Sequence, residues 1–290
     1  MFHALDHVIV AVADLDVATR ATAQLLGRRP SWRGEHPAAG SENALFRLEN
    51  TYLELLAPAG AGPVGDLLRG WLAQHGEGLL GLVFATHDAE ACRETLAARG
   101  LAPAPVERGL GRDVESGAIR EWLRVPLPLE KTRGVLLFAI QHTSPEALLP
   151  PATPLGAEAA AIRGLDHAVV DTPDAEAAKA LYGDALGLRL ALDREFPQWG
   201  ARLIFYRVGD VTVELAARLD AGATDPAHDR LFGLSWRVPD ADAARARLLA
   251  AGLDVSEVRP GRKPGTRVLT VRDGSCGVPT LLIEPRAEQS

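Results

Sequence analysis

Leu5-Asp6-His7-Val8-Ile9-Val10 and Leu165-Asp166-His167-Ala168-Val169-Val170 carry the same pattern, an apolar run opened by Leu-Asp-His. Two further stretches follow them at one and the same interval: Tyr52-Leu53-Glu54-Leu55-Leu56 and Val211-Thr212-Val213-Glu214-Leu215, while Leu26-Gly27 returns at Leu186-Gly187. Three landmarks displaced by a single offset are most simply explained by duplication of a unit that contains a His and a Glu. A chain of 290 residues is also the right length for two domains, each with its own core.

Each copy predicts the same order of elements. Leu5 to Val12 is a short β-rich run that ends at Asp14, whose carboxylate can cap a helix over Val17 to Leu26, and Gly27 closes that helix. Arg33 to Glu42 reads as a polar loop, with a short strand over Pro30 to Arg33 before it. Ala44 to Leu48 and Tyr52 to Leu56 read as strands joined by a tight turn. Ala59 to Glu77 is Gly-rich and then weakly helical. Leu79 to Ala85, a helix over Ala89 to Ala98, and strands Arg120 to Val125 and Gly134 to Gln141 form a second unit. The Pro- and Ala-rich stretch 143–161 predicts a linker. The second half then repeats the scheme, with strands Leu165 to Val170, Leu203 to Val208 and Val211 to Ala216. A fourth unit runs from Leu231 through a helix over Ala241 to Ala251 to strands Thr266 to Arg272 and Pro279 to Glu284. The expectation is an α+β chain of four βαβββ modules, in domains 1–142 and 162–290.

Composition narrows the function. A net charge of −7 with scattered Arg argues against nucleic acid, since neutralising phosphates takes clustered cations. No apolar run is long enough to span a bilayer, and the opening Met-Phe-His-Ala-Leu-Asp lacks an export signal, which predicts a cytoplasmic protein with a small-molecule ligand. Cys92 and Cys276 are far apart and outside any Cys-x-x-Cys spacing, so neither a disulfide framework nor a thiolate zinc site is expected. No phosphate loop or nucleophile elbow is present, and Gly109-Leu110-Gly111-Arg112 reads as a Gly pair in a loop. The acids Asp14, Asp88, Asp174 and Asp240 recur at helix starts, where capping accounts for them.

Four such units with Leu-Asp-His opening the first and third, and Glu in their last strands, resemble the vicinal oxygen chelate superfamily. That group includes glyoxalase I, extradiol dioxygenases, 4-hydroxyphenylpyruvate dioxygenase and bleomycin-resistance proteins. Gly34-Glu35-His36-Pro37, Ser41-Glu42-Asn43-Ala44 and Tyr52-Leu53-Glu54-Leu55 are similar in particular to its glyoxalase-like domains. The resemblance implies two tandem open barrels, with metal ligands on the first and last strands of the units. It therefore implies His7 and Glu54 in one cup and His167 and Glu214 in the other.

Imidazole and carboxylate donors suit a divalent ion such as Zn, Ni, Fe, Mn or Mg, which can bind two neighbouring oxygens of a substrate. Three or four protein ligands are normally needed, and here the family's remaining positions fall on Gly81 and Phe138 in the first cup and on Gly233 and Leu281 in the second. Additional ligands would have to come from His36, His142 or His228. Each cup alone thus holds half of the usual ligand set. The other reading of each His/Glu pair is a buried carboxylate and imidazole that satisfy one another.

His36, Asn43, Arg120, Trp122 and His142 are the candidate substrate-pocket residues of the first cup. Arg120, Trp122 and Arg124 share one strand face and can hold an anionic or aromatic molecule, although a solvated edge with one packed Trp accounts for them better. Two functions stay open. One is a lyase, isomerase or oxygenase acting on a small oxygenated metabolite in the N-terminal cup, with Glu54 as metal ligand or general base. The other is a metal-free binding protein of the bleomycin-resistance kind. With four units the chain can complete both cups alone, so a monomer or a homodimer is compatible.

Overall fold

The structure is a computed structural model that describes residues 1–220 and 228–286. The first half runs β1 (Ala4–Ala11), α1 (Leu15–Leu26), β2 (Trp32–His36), β3 (Ser41–Arg47), β4 (Tyr52–Pro58), α2 (Pro63–His75), β5 (Gly78–Ala85), α3 (Ala89–Ala98), β6 (Glu107–Asp113), β7 (Ile119–Pro126) and β8 (Leu136–His142). The second runs β9 (Gly164–Thr172), α4 (Ala175–Lys179), β10 (Arg189–Phe196), β11 (Ala201–Val208), β12 (Val211–Arg218), β13 (Arg230–Arg237), α5 (Ala241–Ala250), β14 (Arg259–Pro260), β15 (Arg267–Val271) and β16 (Thr280–Glu284). Setting α2 aside, these are four βαβββ units and two tandem glyoxalase-like sheets.

Capping fixes where the helices begin. Asp14, Asp88, Asp174 and Asp240 each accept a hydrogen bond from the backbone N–H three residues on, at 2.9 to 3.0 Å. Gly27 ends α1 at φ 68°, a left-handed conformation that costs glycine nothing.

In each half the first strand pairs parallel with the last strand of its own unit and antiparallel with the first strand of the next. The first half closes into an eight-stranded barrel of order β1-β4-β3-β2-β6-β7-β8-β5. Closure depends on a short seam in which Gly34 pairs with Asp113 and Glu35 with Arg112. The second half stays open, because the strand equivalent to β6 is only Arg259–Pro260, and its proline has no N–H to donate.

Three local expectations are corrected. The predicted loop Arg33 to Glu42 is a β2–β3 hairpin with its turn at residues 37–40, so Gly34 and His36 lie on a strand; β2 begins at Trp32 and not at Pro30. Gly109-Leu110-Gly111-Arg112 is not a loop but the centre of β6, a strand missed because its two glycines break the hydrophobic alternation. The weakly helical stretch is a helix of 13 residues, α2, whose Leu68 packs with Ile9, Ala11, Leu56 and Leu80 inside the barrel.

The outer faces of the two sheets pack together. Val10, Leu53 and Leu55 meet Leu234, Trp236 and Val278 across a narrow gap. The Asn50 amide, in the β3–β4 turn, donates to Leu165 O at 2.8 Å and accepts from Leu165 N at 3.0 Å. The stretch 143–161 is pinned to the first half: Arg28 donates to Ala152 O at 3.0 Å and to Ile162 O at 2.5 Å, and pairs with Glu158.

Candidate functional site in the N-terminal barrel

Strand alternation sends His7, Tyr52, Glu54, Asn43, Trp32 and Trp122 inward. Ile9 is opposite Glu54 in the β1–β4 register, and His7 opposite Tyr52. The imidazole of His7 is stacked on Tyr52 with ring centroids 4.3 Å apart.

A continuous chain of polar contacts crosses this interior. His142 Nε2 lies 3.0 Å from Asp6 Oδ2, and His7 Nδ1 lies 2.7 Å from Asp6 Oδ1. On its other side His7 Nε2 is 3.3 Å from Glu54 Oε2, and the Asn43 amide donates to Glu54 Oε1 at 2.6 Å. A carboxylate only accepts, so the Asn43 atom facing Glu54 is the amide nitrogen, and its Oδ1 turns away, buried and without a partner.

This arrangement sets the protonation states. Burial by itself would lower the pKa of His7, but hydrogen bonds to Asp6 and Glu54 and their charges outweigh it, and the pKa is raised. Burial would raise Glu54, yet the His7 bond and charge and the Asn43 amide hold it below its ordinary value. Asp6, against burial, is held well below the carboxylate range by His142 and His7. The arrangement favours an imidazolium between two carboxylates. Glu54, at 12% side-chain exposure, still has lone pairs for a ligand proton.

The second half retains the pair without its support. His167 Nε2 is 3.3 Å from Glu214 Oε2, and His167 Nδ1 is 3.2 Å from Asp166, which also accepts from Arg237. Leu203 stands where the first half has Asn43. Burial therefore dominates, and the pKa of Glu214 is raised despite the charges of His167 and Arg262.

Of the further candidates, His36 is near the first pair but turns its Nδ1 to Ser41 Oγ at 3.2 Å, with its ring edge-on to Trp122. Burial lowers its pKa. His142 is bound to Asp6. His228 does not serve the second cup: its ring lies against Gly134, at the junction of the halves. Among the described residues no group of three or more His, Cys, Asp and Glu is arranged to hold a metal ion. The register explains why. Gly81 pairs with Leu136, and Phe138 lies two residues beyond Leu136, the same relation that His7 has to Tyr52 and Glu54. The residues at the two missing ligand positions thus carry no donor, and two donors fall short of the three or four that a protein metal site normally uses.

Asp6, Trp32 and Tyr52 belong to the site but were not singled out from the sequence. Asp6 had a signal, since Asp166 repeats it inside the duplicated motif. Trp32 and Trp122 are accommodated by glycines. A Cβ on Gly34 would lie 2.2 Å from Trp32 Nε1, and one on Gly109 would lie 2.1 Å from Trp122 Nε1. Gly109→Ala is therefore expected to push the Trp122 indole off the wall and cost about 1–3 kcal/mol through overpacking. Denaturant unfolding with tryptophan emission checks this, and an unchanged midpoint with unchanged emission would count against the packing described.

These features define the class. Residues 5–163 match the glyoxalase-like domain family and residues 166–270 the glyoxalase/bleomycin resistance protein/dioxygenase superfamily, and the chain belongs to this vicinal oxygen chelate group. Ethylmalonyl-CoA/methylmalonyl-CoA epimerase of Cereibacter sphaeroides is 29% identical over 129 residues, which cover 42% of this chain and 88% of the epimerase. A mutant 4-hydroxymandelate synthase from Streptomyces coelicolor superposes with a TM-score of 0.68 at 16% identity, covering 100% of this chain and 94% of the synthase. The catechol dioxygenase BphC gives a TM-score of 0.60 at 12% identity, covering 98% and 87%. At such identities the two structures share the fold with this chain. Among the described residues no helix is long and apolar enough to cross a membrane.

Proposed function

We propose that the N-terminal barrel binds a small oxygenated molecule and transfers a proton on it, with Glu54 as the base. The observation that carries this reading is the inward-facing carboxylate of Glu54, kept ionised by His7 and Asn43 and only partly covered. Asp6 fixes the orientation of His7, and His7 in turn fixes Glu54, so the acceptor oxygen is positioned before substrate arrives. The name of the Cereibacter relative, an epimerase, agrees with a reaction that moves a proton. Because the donor set is two and not three or four, no step passes through a metal. Glu214 is the weaker candidate, since its raised pKa favours the protonated form.

Proton NMR in deuterated water over a panel of small carbonyl, thioester and hydroxy-acid compounds tests the reading. Wild-type protein is expected to wash out a C–H signal in at least one compound. Glu54→Gln should slow this by about 10²–10⁴-fold. Equal rates with both proteins would remove Glu54 from the chemistry, and a rate abolished by a chelator would return the site to metal dependence. Binding without any exchange would support the metal-free binding module.

A further inference from the structure

Among the described residues Arg120 is a cation without a counter-charge. It sits on β7, 7% exposed, with its guanidinium carbon 5.4 Å over the ring of Trp32 and 6.0 Å over that of Tyr52. Arg124, four residues on, is bound to Glu107 at 2.6 Å. Arg120 has no hydrogen bond or ion pair of its kind among the described residues, where Asp6 and Glu54 are taken by the histidines and Asn43. Its nitrogens are not sealed either. Among the described residues the buried side-chain atoms without a partner are Asn43 Oδ1, Arg133 Nη2 and Tyr182 OH, so each guanidinium nitrogen of Arg120 keeps some exposure. Aromatic faces compensate only a fraction of what a guanidinium loses on leaving water. The missing anion is the simplest completion of such a site.

We propose that the barrel takes a small carboxylate, anchored by Arg120 over the faces of Trp32 and Tyr52. This rests on the reading of the barrel as the ligand site and adds the chemical class of the ligand. A carboxylate matches the planar guanidinium fork, whereas a neutral molecule leaves the charge uncompensated.

Mandelate, with methyl mandelate as its uncharged counterpart, is the probe. Calorimetric titration and thermal unfolding are to be run on the full chain. Mandelate is expected to bind and raise the melting temperature of wild-type protein, and methyl mandelate to bind at least tenfold more weakly. Arg120→Met should lose the mandelate response at least tenfold and, without ligand, melt at or above the wild-type temperature, because an uncompensated charge has gone. Arg120→Lys should recover part of the binding. Equal binding of the two probes, no binding of mandelate, or an Arg120→Met protein that melts lower with its mandelate response intact would overturn the proposal. Glu54→Gln separates the two readings: mandelate binding retained while proton exchange is lost supports both, and binding retained with exchange unchanged removes only the role of Glu54.

Discussion

Replacing His7 with Phe is expected to destabilise the protein by about 3 kcal/mol at pH 7, the lower end for breaking a buried ion pair. Phe keeps the stack on Tyr52 but removes the cation between two carboxylates whose side chains are 10% and 12% exposed. The cost stays at the lower end because His142 still holds Asp6 and Asn43 still holds Glu54. The loss also depends on pH. In the wild type, Asp6 and Glu54 have depressed values in the fold, so their contribution is present above the ordinary carboxylate range and disappears as pH falls through the folded values. His7 is raised, so its contribution is complete below 6.5 and fades as pH rises through the folded value. In the variant Glu54 loses its main support and behaves as Glu214 does, with burial raising its pKa; it then destabilises at neutral pH and is relieved as pH falls. Toward pH 5 loss of the complete His7 contribution enlarges the deficit while relief of Glu54 shrinks it, so the check is the urea midpoint at pH 7, where a loss under about 1 kcal/mol would mean that these ion pairs do not hold the fold.

The second large effect is expected at Trp236. This side chain is 1% exposed, on β13, and faces the outer surface of the first barrel at Val10, Leu53 and Leu55. Trp236→Ala would leave a cavity between the halves and should cost about 3–5 kcal/mol. Trp236→Phe should recover most of it. Denaturant unfolding followed by far-ultraviolet circular dichroism measures both, and a loss under about 1 kcal/mol for the alanine variant would mean that the halves do not depend on this contact.

The duplication was legible because it is written in large side chains at fixed intervals: His7 with His167, Glu54 with Glu214, Asp14 with Asp174. Their spacing in four units carried the fold. What escaped was written in glycine. Gly34, Gly109 and Gly111 interrupt the alternation by which strands are recognised, so β6 was overlooked and β2 shortened, yet in three dimensions these glycines make room for Trp32, His36 and Trp122. The two-donor limit at each pair could be read from Gly81 and Gly233. That Arg120 meets no carboxylate among the described residues, while Arg124 has Glu107, could not, because it depends on which inward residues meet across strands far apart in sequence.

The unequal closure of the two sheets has a consequence for solubility. A closed barrel has no free strand edge, but the open sheet has two, at β10 and β14, and exposed backbone there is a template for pairing with another chain. Both are guarded. β14 is two residues long and contains Pro260, which leaves little ladder to extend. β10 is longer and exposes Leu190 and Leu192, but Asp193 is bound by Arg202 and Lys179, and Arg189, Arg194 and Glu195 flank the leucines. Charge on one open edge and brevity with a proline on the other leave another chain little to pair with.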